Sequence, residues 1–281
     1  QDLHHETTQD LTAMSAGTRN RHRFVPLTEI CEPRELLAVT AVLDGSTLRI
    51  AGTPGADDIR VLSRGQNFSV YGLTQTFSTR AVRAIVIEAF EGNDSIRLSR
   101  PAAVAFPVSV FVVCGPGDDT LDAQSFRNVG SSITVDGGDG NDKLTGSAGN
   151  DFLVGGAGDD TINGAAGSDI INGGDGRDSI NGGSGNDVLY GGNDNDQLNG
   201  GSGNDVFFGG VGNDTIRGDL GNDQINGEDG DDVLYASSNN NQLFGGPGND
   251  TLYAGTGIDT LNGGQGENKY FPGPRSRIVR N

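Results

Sequence analysis

The sequence predicts an all-β protein: a parallel β-roll, or β-solenoid, of nonapeptide repeats with two repeats per coil, preceded by a degenerate β-rich solenoid segment. Three observations carry this prediction. Residues 137–271 divide into fifteen consecutive nine-residue units without insertion or deletion, the eighth position of every unit is a large apolar residue, and glycine recurs at positions one, two and four. Self-similarity at a fixed short period outranks any window-by-window reading of secondary structure.

The units are GGDGNDKLT, GSAGNDFLV, GGAGDDTIN, GAAGSDIIN, GGDGRDSIN, GGSGNDVLY, GGNDNDQLN, GGSGNDVFF, GGVGNDTIR, GDLGNDQIN, GEDGDDVLY, ASSNNNQLF, GGPGNDTLY, AGTGIDTLN and GGQGENKYF. Position eight runs from Leu144, Leu153 and Ile162 to Leu252, Leu261 and Tyr270. Side chains alternate along a strand, so burying position eight turns positions seven and nine outward. Each unit thus supplies one three-residue strand with one inward knob. The other six residues must reverse the chain, and glycines there reach positive φ without a Cβ clash. Two units close one coil, and each unit stacks on the unit two before it.

The flanking segments are read in the same way. Residues 1–40 are expected to be a leader or sorting segment, largely disordered: Arg19, Arg21 and Arg23 precede a short apolar run at 36–43, the order of an export signal. A plain terminus flowing into a first strand is the alternative. Residues 41–136 carry three isolated, weaker copies of the unit, GTPGADDIR at 52–60, AFEGNDSIR at 89–97 and CGPGDDTLD at 114–122. Alternating, β-branched stretches separate them, which makes this segment a degenerate solenoid stacked on the regular one. Residues 272–281, with Arg275, Arg277 and Arg280, are expected to be a basic tail. Cys31 and Cys114 are too few for a disulfide framework, and whether they pair is left open.

Composition narrows the function. With 47 glycines in 281 residues, 33% hydrophobic residues, no Trp and a net charge of −19, the chain cannot build a thick apolar core. The acidity is local: 137–271 holds 22 Asp and Glu against 4 Lys and Arg. Such a field excludes nucleic acid as a partner, because affinity for it comes from Lys and Arg neutralising phosphates. No segment approaches the roughly 18–20 apolar residues of a transmembrane helix. The only histidines are His4, His5 and His22, and neither H-E-x-x-H nor G-x-S-x-G occurs, so the chain is read as not an enzyme, with no catalytic residues.

Position six carries the chemistry. It is Asp142, Asp151, Asp160, Asp169, Asp178, Asp187, Asp196, Asp205, Asp214, Asp223, Asp232, Asp250 and Asp259, failing only at Asn241 and Asn268. Stacking places these in two ladders, Asp142 to Asp250 on one edge and Asp151 to Asp223 on the other. Carboxylates at strand spacing repel one another unless a cation sits between them. A single Asp beside Gly reads as an Asx-turn. Thirteen in one phase, without compensating Lys or Arg, read as a metal column. Calcium suits it, taking six to eight oxygen ligands, backbone carbonyls included, in flexible geometry, whereas magnesium demands a tight octahedron and zinc wants Cys or His.

The unit G-G-x-G-x-D-x-U-x resembles that of hemolysin-type, or RTX, calcium-binding proteins. The resemblance implies that successive turns on one edge hold each calcium through position-six aspartates and loop carbonyls, here the thirteen aspartates above with carbonyls such as those of Gly137, Gly155 and Gly173. Counting aspartate pairs gives up to about ten ions. Repeat twelve, with Asn241, is expected to break the second ladder. Residues 24–38, with Phe24, Pro26, Cys31, Glu32, Pro33 and Arg34, resemble the LEPR-XLL segment of exported planctomycete proteins, Cys31 replacing its first leucine.

The functional expectation is a secreted, extracellular or cell-surface RTX protein, folded by calcium and acting as a structural or adhesive module. Two alternatives stand beside it: a calcium-dependent tail of a secreted hydrolase or polysaccharide-modifying enzyme, and a flat-faced ice or polysaccharide binder. The row Asn163, Asn181, Asn199 gives the flat face, but Arg217 ends it. The cell-surface, polysaccharide or protein partner is unspecified; Val188, Tyr190, Val206 and Phe208 are expected to face outward together, either as outer-face side chains that stack along the ladder or lie under the tail, or as an interaction surface.

Overall fold

The computed structural model describes residues 39–64, 66–99, 107–126 and 132–279. The expected leader up to residue 38, with its histidines and arginines, Cys31 and the LEPR-XLL-like segment, lies outside the described residues, while Thr40, at its expected end, opens the first strand. The described chain forms two thirteen-stranded sheets that face each other across one continuous apolar core. From residue 84 onward the pairing is parallel, and the result is an all-β solenoid of about eight turns.

Register follows from the period. In the first sheet Val135, Leu153, Ile171, Leu189, Phe207, Ile225, Leu243 and Leu261 lie side by side on successive strands. In the second sheet the corresponding row is Leu144, Ile162, Ile180, Leu198, Ile216, Leu234, Leu252 and Tyr270. Every one of these is buried except Tyr270, which is half-buried at the end of the stack. A slip of one residue would turn the whole row outward, so the knob at position eight fixes the register.

The strands are longer on one side than the three residues expected. In the first sheet they continue into the next loop, as in Phe152–Ala157 and Val188–Asn193, where Gly156 pairs with Gly174 and Gly192 with Gly210. Most second-sheet strands stop at three residues, such as Thr161–Asn163 and Thr215–Arg217. The glycines are also spatial requirements. A Cβ on Gly203, at φ +143, would strike the carbonyl of Gly185 in the turn above.

Upstream, the turns are irregular but belong to the same stack. Strand Ile133–Asp139 pairs with Ser109–Val113 on one side and Phe152–Ala157 on the other. The first sheet begins with the antiparallel hairpin Thr40–Asp44 and Thr47–Ala51, and the second with Asp58–Arg64, Asn67–Val70 and Thr76–Ser78. At the other end, Arg277–Val279, in the segment expected to be a tail, pairs with Thr260–Gln265 as the last strand. Cys114 is buried with a free thiol.

The two outer faces differ in chemistry. The second sheet presents Ser, Thr and Asn, ending in a stack of Tyr235, Tyr253 and Phe271 with centroids 4.8 and 4.5 Å apart and Arg217 over Tyr235. The first presents Phe152, Ile170 and Tyr190, all exposed, with Tyr190 stacked on Phe208 at 5.0 Å and 8°.

Because Leu189 is fully buried between Ile171 and Phe207, Leu189→Ala is expected to lower the unfolding free energy by about 2–5 kcal/mol through lost burial and a cavity. Urea titration of the calcium-loaded protein checks this; a loss under about 1 kcal/mol would contradict one continuous apolar core.

Candidate metal centre

Each six-residue loop ends in a position-six side chain that turns back under its own loop, and all but the half-buried Asn268 of the last repeat are 3% exposed or less. Its Oδ1 accepts a hydrogen bond from the backbone N–H of the position-six residue one turn earlier. Asp142 N–H donates to Asp160, and the series continues through Asp178, Asp196, Asp214, Asp232 and Asp250 at 2.7–3.1 Å. On the other edge Asp151, Asp169, Asp187, Asp205 and Asp223 are linked in the same way at 2.8–3.0 Å. Both predicted ladders are therefore assembled, and the contact between rungs is side chain to backbone, not carboxylate to carboxylate.

The second oxygen is left over. Oδ2 of Asp142, Asp160, Asp169, Asp178, Asp187, Asp196, Asp205, Asp214, Asp223, Asp232 and Asp250 is buried and accepts no hydrogen bond. Each points at the position-one glycine of its own loop, and in nine of the eleven loops, those of Asp205 and Asp223 excepted, the position-one carbonyl of the next turn lies beside the same glycine. A Cβ on Gly164 would lie 2.5 Å from Asp169 Oδ2 and 2.6 Å from the Gly182 carbonyl oxygen. The Gly155 and Gly173 carbonyls sit in this way beside Gly137 and Gly155, and the Gly137 carbonyl accepts the Gly115 N–H at 3.1 Å. An anionic oxygen and a carbonyl oxygen sharing a buried space with no hydrogen between them fit a hard cation.

Among the described residues no three His, Cys, Asp or Glu side chains converge. A metal here would draw on backbone carbonyls and water to complete its shell, which suits calcium better than zinc.

Two predicted ligands differ from the rest. Asp151 Oδ2 accepts the Ser147 N–H at 2.6 Å and its hydroxyl at 3.0 Å, and Asp259 Oδ2 accepts the Gly255 N–H at 3.1 Å. Asn241 keeps its place in the ladder, its Oδ1 taking the Asp223 N–H at 2.7 Å. Its Nδ2 donates to the Ala236 and Ser238 carbonyls at 3.1 and 2.7 Å.

The structure adds members that the period could not place. Asp57, Asp94 and Asp119 extend the first ladder upstream, with Asp57 N–H on Asp94, Asp94 N–H on Asp119 and Asp119 N–H on Asp142, at 2.6–2.7 Å. Their signal was present, since each is position six of a degenerate copy. A second ladder runs along position five in the opposite direction: Asn141 Oδ1 accepts the Asp159 N–H and Asp159 Oδ1 the Arg177 N–H, at 2.7 and 2.9 Å.

A family model for the RTX calcium-binding nonapeptide repeat matches in four copies, at residues 136–171, 172–207, 208–243 and 244–273. This segment belongs to the RTX calcium-binding repeat family. No curated protein matches the chain. The RTX repeats make it a calcium-binding structural module, and their β-solenoid is a structural fold, not a catalytic one. The match starts at residue 136, leaving Asp57, Asp94 and Asp119 outside it.

Without a cation, burial raises the carboxyls of the RTX loops: Asp142, Asp169, Asp205 and Asp232 to about 7, Asp196 to about 8, and Asp160, Asp178, Asp214, Asp223 and Asp250 to about 6. The backbone N–H on Oδ1 works against that rise without cancelling it. A carboxyl whose folded-state pKa lies above its unfolded value stabilises the fold below the unfolded pKa, and that contribution is lost as pH rises through the folded value. The calcium-free protein is therefore expected to lose thermal stability and β content from about pH 5 to about pH 8, while calcium affinity rises over the same interval as protons leave. Thermal melts after chelation and calorimetric titrations across that range check both signs; a calcium-free midpoint that climbs with pH would contradict them.

Proposed function

We propose that this chain is a secreted structural or adhesive module whose folding is driven by calcium. The observation that carries the reading is the column of buried Oδ2 atoms with no hydrogen-bond donor, in a segment of RTX repeats. In this reading the ions lie between successive turns, held by the position-six aspartates whose Oδ2 is free, together with position-one carbonyls of the next turn. About ten Ca²⁺ would add about +20 to a segment that carries 22 acidic and 4 basic side chains, turning a self-repelling chain nearly neutral.

Export fits the energetics. RTX repeat proteins are typically secreted, and no helix among the described residues is long and apolar enough to cross a membrane. Extracellular calcium modules bind at roughly 10⁻⁴–10⁻³ M, so such a chain stays unfolded before export and folds outside. The adhesive part rests on the outer face of the first sheet. Phe152, Ile170, Tyr190, Phe208 and Val211 line a groove of about 850 Å³ rimmed by Asp175, Glu228 and Asp229. Contiguous exposed apolar surface on a soluble solenoid marks a contact site.

Chelation is expected to abolish the β signal in circular dichroism and calcium to restore it; a spectrum unchanged by EGTA would refute calcium-driven folding. The double variant Tyr190→Ser, Phe208→Ser is expected to keep the calcium-dependent spectrum while weakening adhesion to cell-surface or polysaccharide preparations by about tenfold. Unchanged adhesion would remove this groove from the reading.

A further inference from the structure

We propose that the calcium column continues beyond the RTX repeats into the upstream turns, at the loops ending in Asp94 and Asp119, and that it skips the loops ending in Asp57, Asp151 and Asp259. The inference rests on the calcium reading above and deepens it by assigning metal to loops that the family model does not cover.

The sorting comes from one backbone angle. In thirteen Asp loops Oδ2 has no partner, and in all thirteen the residue at position two has positive φ. That residue is glycine in nine of them, such as Gly115, Gly138 and Gly174, and Phe90, Ala165, Asp219 and Glu228 in the others. In the remaining three loops position two is Thr53, Ser147 or Gly255, none with positive φ, and its N–H donates to Oδ2 of the same loop at 2.6, 2.6 and 3.1 Å. The two classes do not overlap. Where that N–H points inward, the loop supplies its own positive end to the carboxylate. Where φ is positive, the N–H is turned away and the oxygen is left without a donor.

The Asn241 loop shows what the open form accepts. Ser237 at position two has φ +66, and the amide Nδ2 of Asn241 donates to the position-one and position-three carbonyls, those of Ala236 and Ser238. A group bearing positive charge density thus fills the space. With Asp at position six, the same space is surrounded by oxygen alone.

The upstream loops are open in this sense. Asp94 and Asp119 are 2% and 1% exposed, and their Oδ2 atoms are among the unpartnered thirteen. Phe90 holds φ +78 although its side chain is 47% exposed, so burial does not impose the conformation. A bulky residue in the left-handed region is an outlier of the kind that clusters at ligand sites. Position one is Ala89 or Cys114 in these two loops, where the repeats have a glycine whose added Cβ would crowd Oδ2. The two upstream sites are therefore expected to fill at higher calcium than those of the repeats.

The test is diffraction from crystals of the full chain grown in excess calcium, with anomalous maps collected at long wavelength. The expected result is calcium peaks beside Asp94 and Asp119 as well as in the repeats, and none in the loops of Asp57, Asp151 and Asp259. Peaks confined to residues 136–273, or a peak in a self-capped loop, would overturn the proposal while leaving the calcium reading intact. No peak anywhere would overturn both. In solution, Asp119→Asn is expected to lower the calcium bound per chain in equilibrium dialysis, and an unchanged count would overturn the upstream assignment.

Discussion

The position-six carboxylate is the interaction on which the rest of the structure depends, because one side chain performs two tasks with its two oxygens. Oδ1 ties each loop to the turn above through a backbone N–H that would otherwise be buried without an acceptor. Oδ2 arrives in the same buried space because it belongs to the same group. The fold therefore gains a hydrogen bond per turn along each edge and brings in a charge wherever the rung is an aspartate. Burying an unpaired carboxylate is costly, and its simplest relief is protonation or a cation.

The hydrophobic side of the balance is too small to absorb that cost alone. Each repeat contributes one buried knob, so a turn is held by two apolar side chains between two sheets. Ordering glycine-rich loops is entropically expensive, since glycine loses more freedom on folding than other residues. Folding then depends on whatever neutralises the ladder. Because every rung bonds to the rung before it, a turn cannot order its loop independently of its neighbours, and cooperativity runs along the axis as in other repeat proteins. The position-five ladder, bonding in the opposite direction, reinforces the coupling until Arg177 and Ile258, which carry no carbonyl or carboxyl oxygen in the side chain, interrupt it.

Much of this was legible in the sequence, for a physical reason: a strict period transfers directly to register. The row from Leu144 to Tyr270 could be read as a buried column and Asp142 to Asp250 as an edge without knowing any coordinate. The upstream turns could be recognised as copies of the unit but not placed in register, because insertions change the spacing between rungs to 37, 25 and 23 residues, against 18 in the repeats. Asp57, Asp94 and Asp119 lose their phase although they keep their chemistry. Loop state was also hidden from composition. Ser147 and Thr53 at position two hint at it, but Gly255 is a glycine in the closed form and Ala165 a non-glycine in the open one. Backbone orientation there is decided by the stacked neighbours, which a single repeat does not encode.

The chain's own substitutions separate the two tasks. Asn241 and Asn268 each accept the N–H of the preceding turn at 2.7 Å, as well as any aspartate does, so the ladder as a mechanical device needs only an Asx side chain. What differs is the second atom. At Asn241 it is a donor that closes on the loop carbonyls, and the turn is satisfied without an ion. An array built with asparagine throughout could keep every inter-turn hydrogen bond of this kind and carry no charge problem. That aspartate stands at thirteen of fifteen positions in the repeats is therefore not explained by the hydrogen-bond ladder. The unpartnered oxygen, with its repulsion and its burial, is the feature that asparagine would have removed, and its retention is the physical argument that the cation is part of what the sequence specifies.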